Sequence, residues 1–129
     1  MLIPQKTVEM ARIKAMLAIA EEDIASIGDL KERWNTIYKL SYDILHTLAE
    51  ALILNDKVKC ANHQCLFAYL CAKHPELELD WSFFERLRTK RNGIQYYGES
   101  IAKSEYKASE LQLTLYIKTL RDAVRAKTR

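Results

Sequence analysis

The chain has 129 residues, of which 49% are hydrophobic, and a formal net charge of +3. This is the size of one domain with enough apolar surface to form a core without disulfides or metals, so we expect residues 1–129 to form a single domain. Three glycines and two prolines are too few for a fold of many short strands. Charged residues interrupt every apolar stretch, which argues against a membrane span, and residues 1–14 lack the features of a secretory signal. We therefore expect an all-α, cytoplasmic protein.

Apolar residues recur at intervals of three and four along most of the chain, which is typical of amphipathic helices. Short connections favour antiparallel neighbours, so the pattern predicts an up-and-down bundle. The five predicted helices cover residues 7–27, 30–54, 62–74, 80–98 and 104–126, with a polar loop at 55–59.

Residues that begin or end helices mark several of these boundaries. Gly28 is expected to close the first helix in a left-handed conformation, and Asp29 with Glu32 to cap the second. Asn62 is expected to cap the third helix, Asp80 or Ser82 to begin the fourth, and Gly98 to end it.

One face of the second helix carries Lys39, Asp43, His46 and Glu50. Asp43 and His46 can be interpreted as an acid and base pair, but such a row is more often the solvated side of an amphipathic helix. We therefore expect these side chains to face solvent.

Cysteines occur at positions 60, 65 and 71. An odd number in a short segment favours reduced, buried and inert thiols. A zinc site formed by Cys60, His63, Cys71 and His74 is disfavoured, because His63 and Cys71 would lie about 12 Å apart along a helix. Zinc ligands must all lie about 2.0 to 2.3 Å from the metal. We expect neither a metal nor another cofactor.

The fourth helix has an apolar seam of Phe84, Leu87, Ile94 and Gly98 that is interrupted by Arg91. A guanidinium in such a position must pair with an acid, extend to solvent or line a cleft. Residues 81–129 carry eleven Lys and Arg against five Asp and Glu, whereas residues 1–80 carry nine against twelve. A basic region of this kind suits phosphate-bearing partners, although solvated helix faces produce it too.

Arg91 is followed by Asn92 and Gly93, which are poor residues for the middle of a helix, and then by Tyr96 and Tyr97. This segment resembles the motif helix of the HEPN family, in which an arginine, often followed by a polar residue, precedes a histidine by four to six residues. The order of two long helices, a short third helix preceded by a histidine, the motif helix and a long last helix is also similar over nearly the whole chain. Tyr96 stands where the family has its histidine.

The resemblance implies a homodimeric helical bundle, metal-independent RNA cleavage at a cleft between protomers in catalytic members, and a companion nucleotidyltransferase of toxin–antitoxin type. Carried over to this chain, it makes Arg91, Asn92 and Tyr96 the candidate catalytic positions. The candidate binding residues beside them are Arg88, Gln95 and Tyr97. A tyrosine is a poor general base at neutral pH, because its usual pKa is near 10.

Three functions follow from these observations. We favour a binding module for RNA, a nucleotide or a partner protein with a degenerate ribonuclease motif. The second is a toxin-type endoribonuclease that takes its proton acceptor from elsewhere, with His46 and His63 as candidates. The third is a structural adaptor in which Arg91 pairs with an acid such as Asp43.

Overall fold

The computed structural model describes residues 2–129, and in this part of the chain five α-helices and one pair of short strands are formed. The elements are β1 (Leu2–Pro4), α1 (Met10–Ile27), α2 (Trp34–Asn55), β2 (Val58–Cys60), α3 (His63–Lys73), α4 (Trp81–Tyr97) and α5 (Lys103–Lys127). The predicted all-α helical bundle is confirmed. No helix within residues 2–129 is long and apolar enough to cross a membrane.

Helix α2 is the centre of the bundle and contacts the other four helices. Twelve of its residues are buried, against two in α1, so α2 presents apolar side chains to neighbours on more than one side. The fully buried side chains of the core include Tyr42, Leu45, Leu48, Phe67, Phe84 and Leu120.

The residues predicted to begin α3 and to begin and end α4 do so in the structure. The side-chain oxygen of Asn62 accepts a hydrogen bond from the Cys65 amide at 2.7 Å, and Asp80 accepts one from the Ser82 amide at 3.0 Å. Gly98 has a φ of 69° and ends α4 in the left-handed region, which favours glycine because it lacks a Cβ atom.

The connection between α1 and α2 differs from the prediction. Gly28 has a φ of −61° and begins a single 3-10 turn that runs to Leu30, whereas the left-handed residue is Lys31, with a φ of 50°. Helix α2 therefore begins at Trp34, after Arg33, and no side chain caps it. The prediction of a cap from Asp29 and Glu32 was wrong, because the extra turn moves the start of the helix four residues along the chain.

Part of the predicted 55–59 loop is a strand. Residues Val58–Cys60 pair antiparallel with Leu2–Pro4, in a register that places Leu2 opposite Cys60. Neither segment is long enough to show a strand pattern in the sequence, since each contributes three residues. The strand pair is nonetheless important for the site, because β2 leads directly into α3.

The expectation of buried cysteines was wrong. Cys60, Cys65 and Cys71 are all partly buried free thiols. Cys60 lies at the end of the two-stranded sheet and Cys65 in the first turn of α3, where neither has the full cover of the helical core.

Candidate functional site

An open cleft of about 360 Å³ lies between α4 and the start of α3, and we call it the Arg91 cleft. It is lined by Ala61, Asn62, His63, Gln64, Arg88, Arg91, Asn92 and Tyr96. Helix α4 supplies its cationic residues, whereas α3 supplies the positive end of a helix dipole, since residues 62–64 are the cap and first helical positions. The cleft thus combines two kinds of group that favour anions.

Arg91 occupies the centre of this arrangement, with 16% of its side chain exposed. Its Nη2 atom lies 3.5 Å from Oδ1 of Asp43, and Nη1 lies 3.4 Å from both Asn92 Oδ1 and Tyr96 Oη. These donor distances are long for hydrogen bonds. Nε is buried and has no partner among the described residues, so the hydrogen-bonding capacity of this guanidinium is not filled.

Two aromatic rings enclose the same guanidinium. Its central carbon lies 5.6 Å from the ring centre of Tyr42 and 5.7 Å from that of Tyr96. Such cation–π contacts stabilise a cation that is partly removed from water. Arg91 is therefore held in place by rings and by Asp43, and it lines a cleft rather than extending freely into solvent.

His63 and Arg91 both contact Tyr42. The hydroxyl oxygen of Tyr42 lies 2.9 Å from Nδ1 of His63, and the two rings stack with their centres 5.8 Å apart. Burial raises the pKa of Tyr42, so its phenol stays protonated. Since residues 2–129 offer this hydroxyl no other side-chain acceptor, we assign Tyr42 as the donor to Nδ1, which places the proton of a neutral His63 on Nε2.

His46 lies beside His63, with the two ring centres 4.0 Å apart. Burial, with smaller contributions from the neighbouring His63 and Arg91, lowers the pKa of His46 to about 4. Burial and the nearby Arg91 and Arg88 guanidinium groups also lower the pKa of His63. Both rings are therefore neutral at pH 7 and able to donate or accept one proton.

His46 faces a second, smaller pocket of about 170 Å³ that adjoins the Arg91 cleft. His63 lines both spaces, and Glu50 lies in the smaller one with its Oε1 atom 3.3 Å from Nδ1 of His46. The expectation that this row of α2 faces solvent was wrong for His46, which is 21% exposed and covered by α3, although Asp43 is 52% exposed.

Two carboxylates, Glu85 and Asp43, contact the arginines of the cleft. Arg88 makes a two-point interaction with Glu85, at 3.3 Å and 2.8 Å, and the hydrogen bonds from Arg88 lower the pKa of Glu85. Burial raises the pKa of Asp43, although Arg91 opposes that effect. Each cleft arginine thus has one carboxylate partner, and Arg91 has the looser of the two pairs.

The structure brings together four of the six predicted site residues. Arg88, Arg91, Asn92 and Tyr96 line the cleft, whereas Gln95 and Tyr97 do not. Tyr96 and Tyr97 are 66% and 80% exposed, so both rings are open to solvent at the end of α4. Gln95 is exposed on the same helix.

Sequence reasoning missed four contributors, namely Tyr42, Ala61, Asn62 and Gln64. Tyr42 stands four residues before His46, one helical turn away, and this spacing is the signal that places it on the face of α2 toward α3. Asn62 was recognised as a cap but not as a cleft residue. Nothing in the local pattern distinguishes Gln64 from a solvated side chain.

No group of three or more His, Cys, Asp and Glu residues within 2–129 is arranged to hold a metal ion. His63 is hydrogen-bonded to Tyr42, while the two ring nitrogens of His74 contact Asp56 and Glu76. These two histidines thus have separate partners.

No protein-family model matches this chain, and a search of curated proteins found no match.

Proposed function

We propose that this protein is a HEPN-like, homodimeric module that binds single-stranded RNA through the Arg91 cleft. The observation that carries the proposal is the position of Arg91, which lines a cleft opposite His63 and the first turn of α3 and whose Nη atoms have no partner closer than 3.4 Å. Each of these groups suits a phosphate oxygen: the guanidinium by charge, His63 through its Nε2 proton, and the helix end by its dipole.

Stacking supplies the second part of the proposed recognition. Tyr96 borders the cleft and Tyr97 follows it, and both rings are largely exposed. Unpaired bases stack on exposed aromatic rings, with a contribution of about 1 to 3 kcal/mol per base. A strand whose phosphate contacts Arg91 would therefore have aromatic surfaces for its neighbouring bases at the end of α4.

The experiment is incubation of metal-free protein with labelled single-stranded and structured RNA, scoring both retention and cleavage. Wild type is compared with Arg91→Ala and with the control Arg86→Ala, which removes an exposed arginine of α4 that does not line the cleft. We expect uncut RNA to be retained by wild type and Arg86→Ala and released by Arg91→Ala. The salt dependence of binding should also weaken, by about 0.7 in logarithmic slope for each phosphate that the variant no longer neutralises.

Catalysis is the second candidate, and it is favoured by the presence of a neutral histidine in the same cleft as Arg91. His63 would then supply the proton-transfer group that the helix motif lacks at Tyr96. As a base it must present an unprotonated Nε2, so His63 would have to adopt the tautomer opposite to the one assigned above, in which Nδ1–H donates a hydrogen bond to the Tyr42 oxygen. Metal-independent cleavage that is abolished in both Arg91→Ala and His63→Gln would establish this function in place of simple binding.

The adaptor function is favoured by the 3.5 Å contact between Arg91 and Asp43. If that pair is purely structural, neither RNA retention nor cleavage will be observed, and Arg91→Ala will change stability alone. A companion nucleotidyltransferase is implied by the family resemblance only, and copurification with such an enzyme would test it.

A further inference from the structure

Two thiols lie close together at the junction of β2 and α3. The Sγ atoms of Cys60 and Cys65 are 3.1 Å apart, and both residues are partly buried free cysteines. A disulfide bond is about 2.05 Å long, so the two sulfurs need to approach by only about 1 Å. The third cysteine, Cys71, lies in the last turns of α3 and is hydrogen-bonded to neither.

The two thiols differ in their readiness to ionise. Burial, reinforced by the hydrogen bond with Cys65, raises the pKa of Cys60 to about 12. Burial opposes ionisation of Cys65 too, but the hydrogen bond between the two thiols has the opposite effect, and the pKa of Cys65 is lowered. Cys65 also lies in the first turn of a helix, where the backbone dipole favours negative charge.

We propose that Cys60 and Cys65 form a modification site, a dithiol that a peroxide oxidises to an intramolecular disulfide and a thiol reductant reopens. The position of Cys65 in the first turn of α3, against that of Cys60 at the end of β2, assigns Cys65 as the attacking thiol and Cys60 as the resolving one. This pairing does not depend on the proposed function of the Arg91 cleft.

The chemistry balances with hydrogen peroxide as the oxidant. The Cys65 thiolate attacks one peroxide oxygen, the O–O bond breaks, and the departing hydroxide takes a proton to form water, leaving a sulfenic acid on Cys65. The Cys60 sulfur then attacks the Cys65 sulfur, the S–O bond breaks, and the hydroxide that leaves takes the Cys60 proton as a second water. Two electrons pass from the two sulfurs to the peroxide.

Oxidation of the two cysteines would affect the Arg91 cleft, because the residues between Cys60 and Cys65 form one side of it. The ring closed by the disulfide contains Ala61, Asn62, His63 and Gln64, all of which line the Arg91 cleft. Drawing the sulfurs together would shift this turn, and with it the imidazole of His63. The shift can be observed directly as a change in the His63 ring resonances between the reduced and oxidised protein.

The test treats the full chain with one equivalent of hydrogen peroxide, and follows free thiols and intact mass. We expect wild type and Cys71→Ser to lose two thiols and two hydrogen atoms, with full recovery in dithiothreitol. Cys60→Ser should stop at a sulfenic acid that dimedone traps on Cys65, and Cys65→Ser should react at least about tenfold more slowly. All three cysteines lie between Lys59 and Lys73 on one tryptic peptide, so fragment spectra are needed to assign the bond.

A second measurement uses the unaltered protein. Limiting iodoacetamide should alkylate Cys65 well before Cys71, whose pKa is raised to about 11 by burial. Equal alkylation of the two, oxidation mainly to disulfide-linked dimers, or direct formation of sulfinic acid in wild type would each overturn the proposal.

Discussion

Nη2 of Arg91 lies 3.5 Å from Oδ1 of Asp43, a carboxylate that is 52% exposed. The residue at the centre of the candidate site is therefore held by a loose and half-solvated ion pair. Exposed pairs of this kind contribute about 0 to 1 kcal/mol to stability. A ligand phosphate that reaches Arg91 has to compete with this one carboxylate.

Replacement of Asp43 by asparagine should strengthen RNA retention several-fold, because it removes the negative charge beside Arg91 and keeps the shape of the side chain. The free energy of unfolding should change by less than about 1 kcal/mol. Filter retention of labelled RNA and urea denaturation measure the two effects, with the exposed Asp29→Asn as the control for loss of one negative charge. Weaker retention in Asp43→Asn would mean instead that Asp43 orients Arg91 for its ligand.

Tyr42→Phe should remove the hydrogen bond to His63 while preserving the ring contacts with Arg91 and Phe67. We expect a loss of about 1 kcal/mol in the free energy of unfolding. The ¹⁵N shifts of His63 should change from the Nε2-protonated tautomer toward a mixture, because Nδ1 no longer accepts a hydrogen bond from the phenol. Tyr38→Phe, which also removes a buried phenol, is the control, and it should leave the His63 tautomer unchanged. An unaltered tautomer in Tyr42→Phe would refute the assigned donor direction.

Stability should fall as the pH is lowered through the range in which His46 gains a proton. The pKa of His46 is about 4 in the fold against an ordinary value of 6.5, so the unfolded chain binds more protons between these values. The contribution of neutral His46 to the free energy of unfolding is fully present above about pH 6.5. It decreases toward pH 4, by about 1 to 3 kcal/mol. Glu50 on α2, His63 on α3, Arg91 on α4 and Cys60 on β2 are the titratable groups around it.

The measurement is urea denaturation at several pH values between 4 and 7, in wild type and in His46→Gln. The variant should show a shallower decline, since glutamine fills the site without titrating. His74→Gln serves as the control, because His74 contacts Asp56 and Glu76 away from this cluster. A decline that is equally steep in wild type and His46→Gln would assign the effect to other groups.

Two glycines, Gly93 within α4 and Gly98 at its C-terminal end, should respond differently to replacement by alanine. Gly98→Ala should destabilise the protein by about 1 kcal/mol, because alanine is strained at a φ of 69°. Gly93→Ala gains helix propensity of up to about 1 kcal/mol. Its Cβ would lie 1.6 Å from Oε2 of Glu99, but that carboxylate ends a flexible, exposed side chain that can move aside.

Thermal or urea denaturation measures the stability of the two glycine variants relative to wild type. We expect Gly93→Ala to be at least as stable as wild type, and Gly98→Ala to be less stable. A loss of more than about 1 kcal/mol in Gly93→Ala would show that the Glu99 carboxylate is needed over the helix.

The sequence by itself determined the helices and most of their ends, because each of these signals acts within one or two turns of chain. Asn62 needs only the amide of Cys65 to cap α3, and Gly98 needs only its own left-handed backbone to end α4. The interruption of the α4 seam by Arg91 was visible for the same reason, since periodicity is a local property. The competing signals at Gly28 and Asp29 show the limit of such reasoning, because the turn at Gly28–Leu30 moves the start of α2 to Trp34.

Only the tertiary structure decided what surrounds Arg91. The pairing of Tyr42 with His63 joins residues 21 positions apart, and Arg91 reaches Asp43 across 48 positions. Contacts of this range depend on how whole helices dock on α2, and no pattern within a single helix encodes the docking.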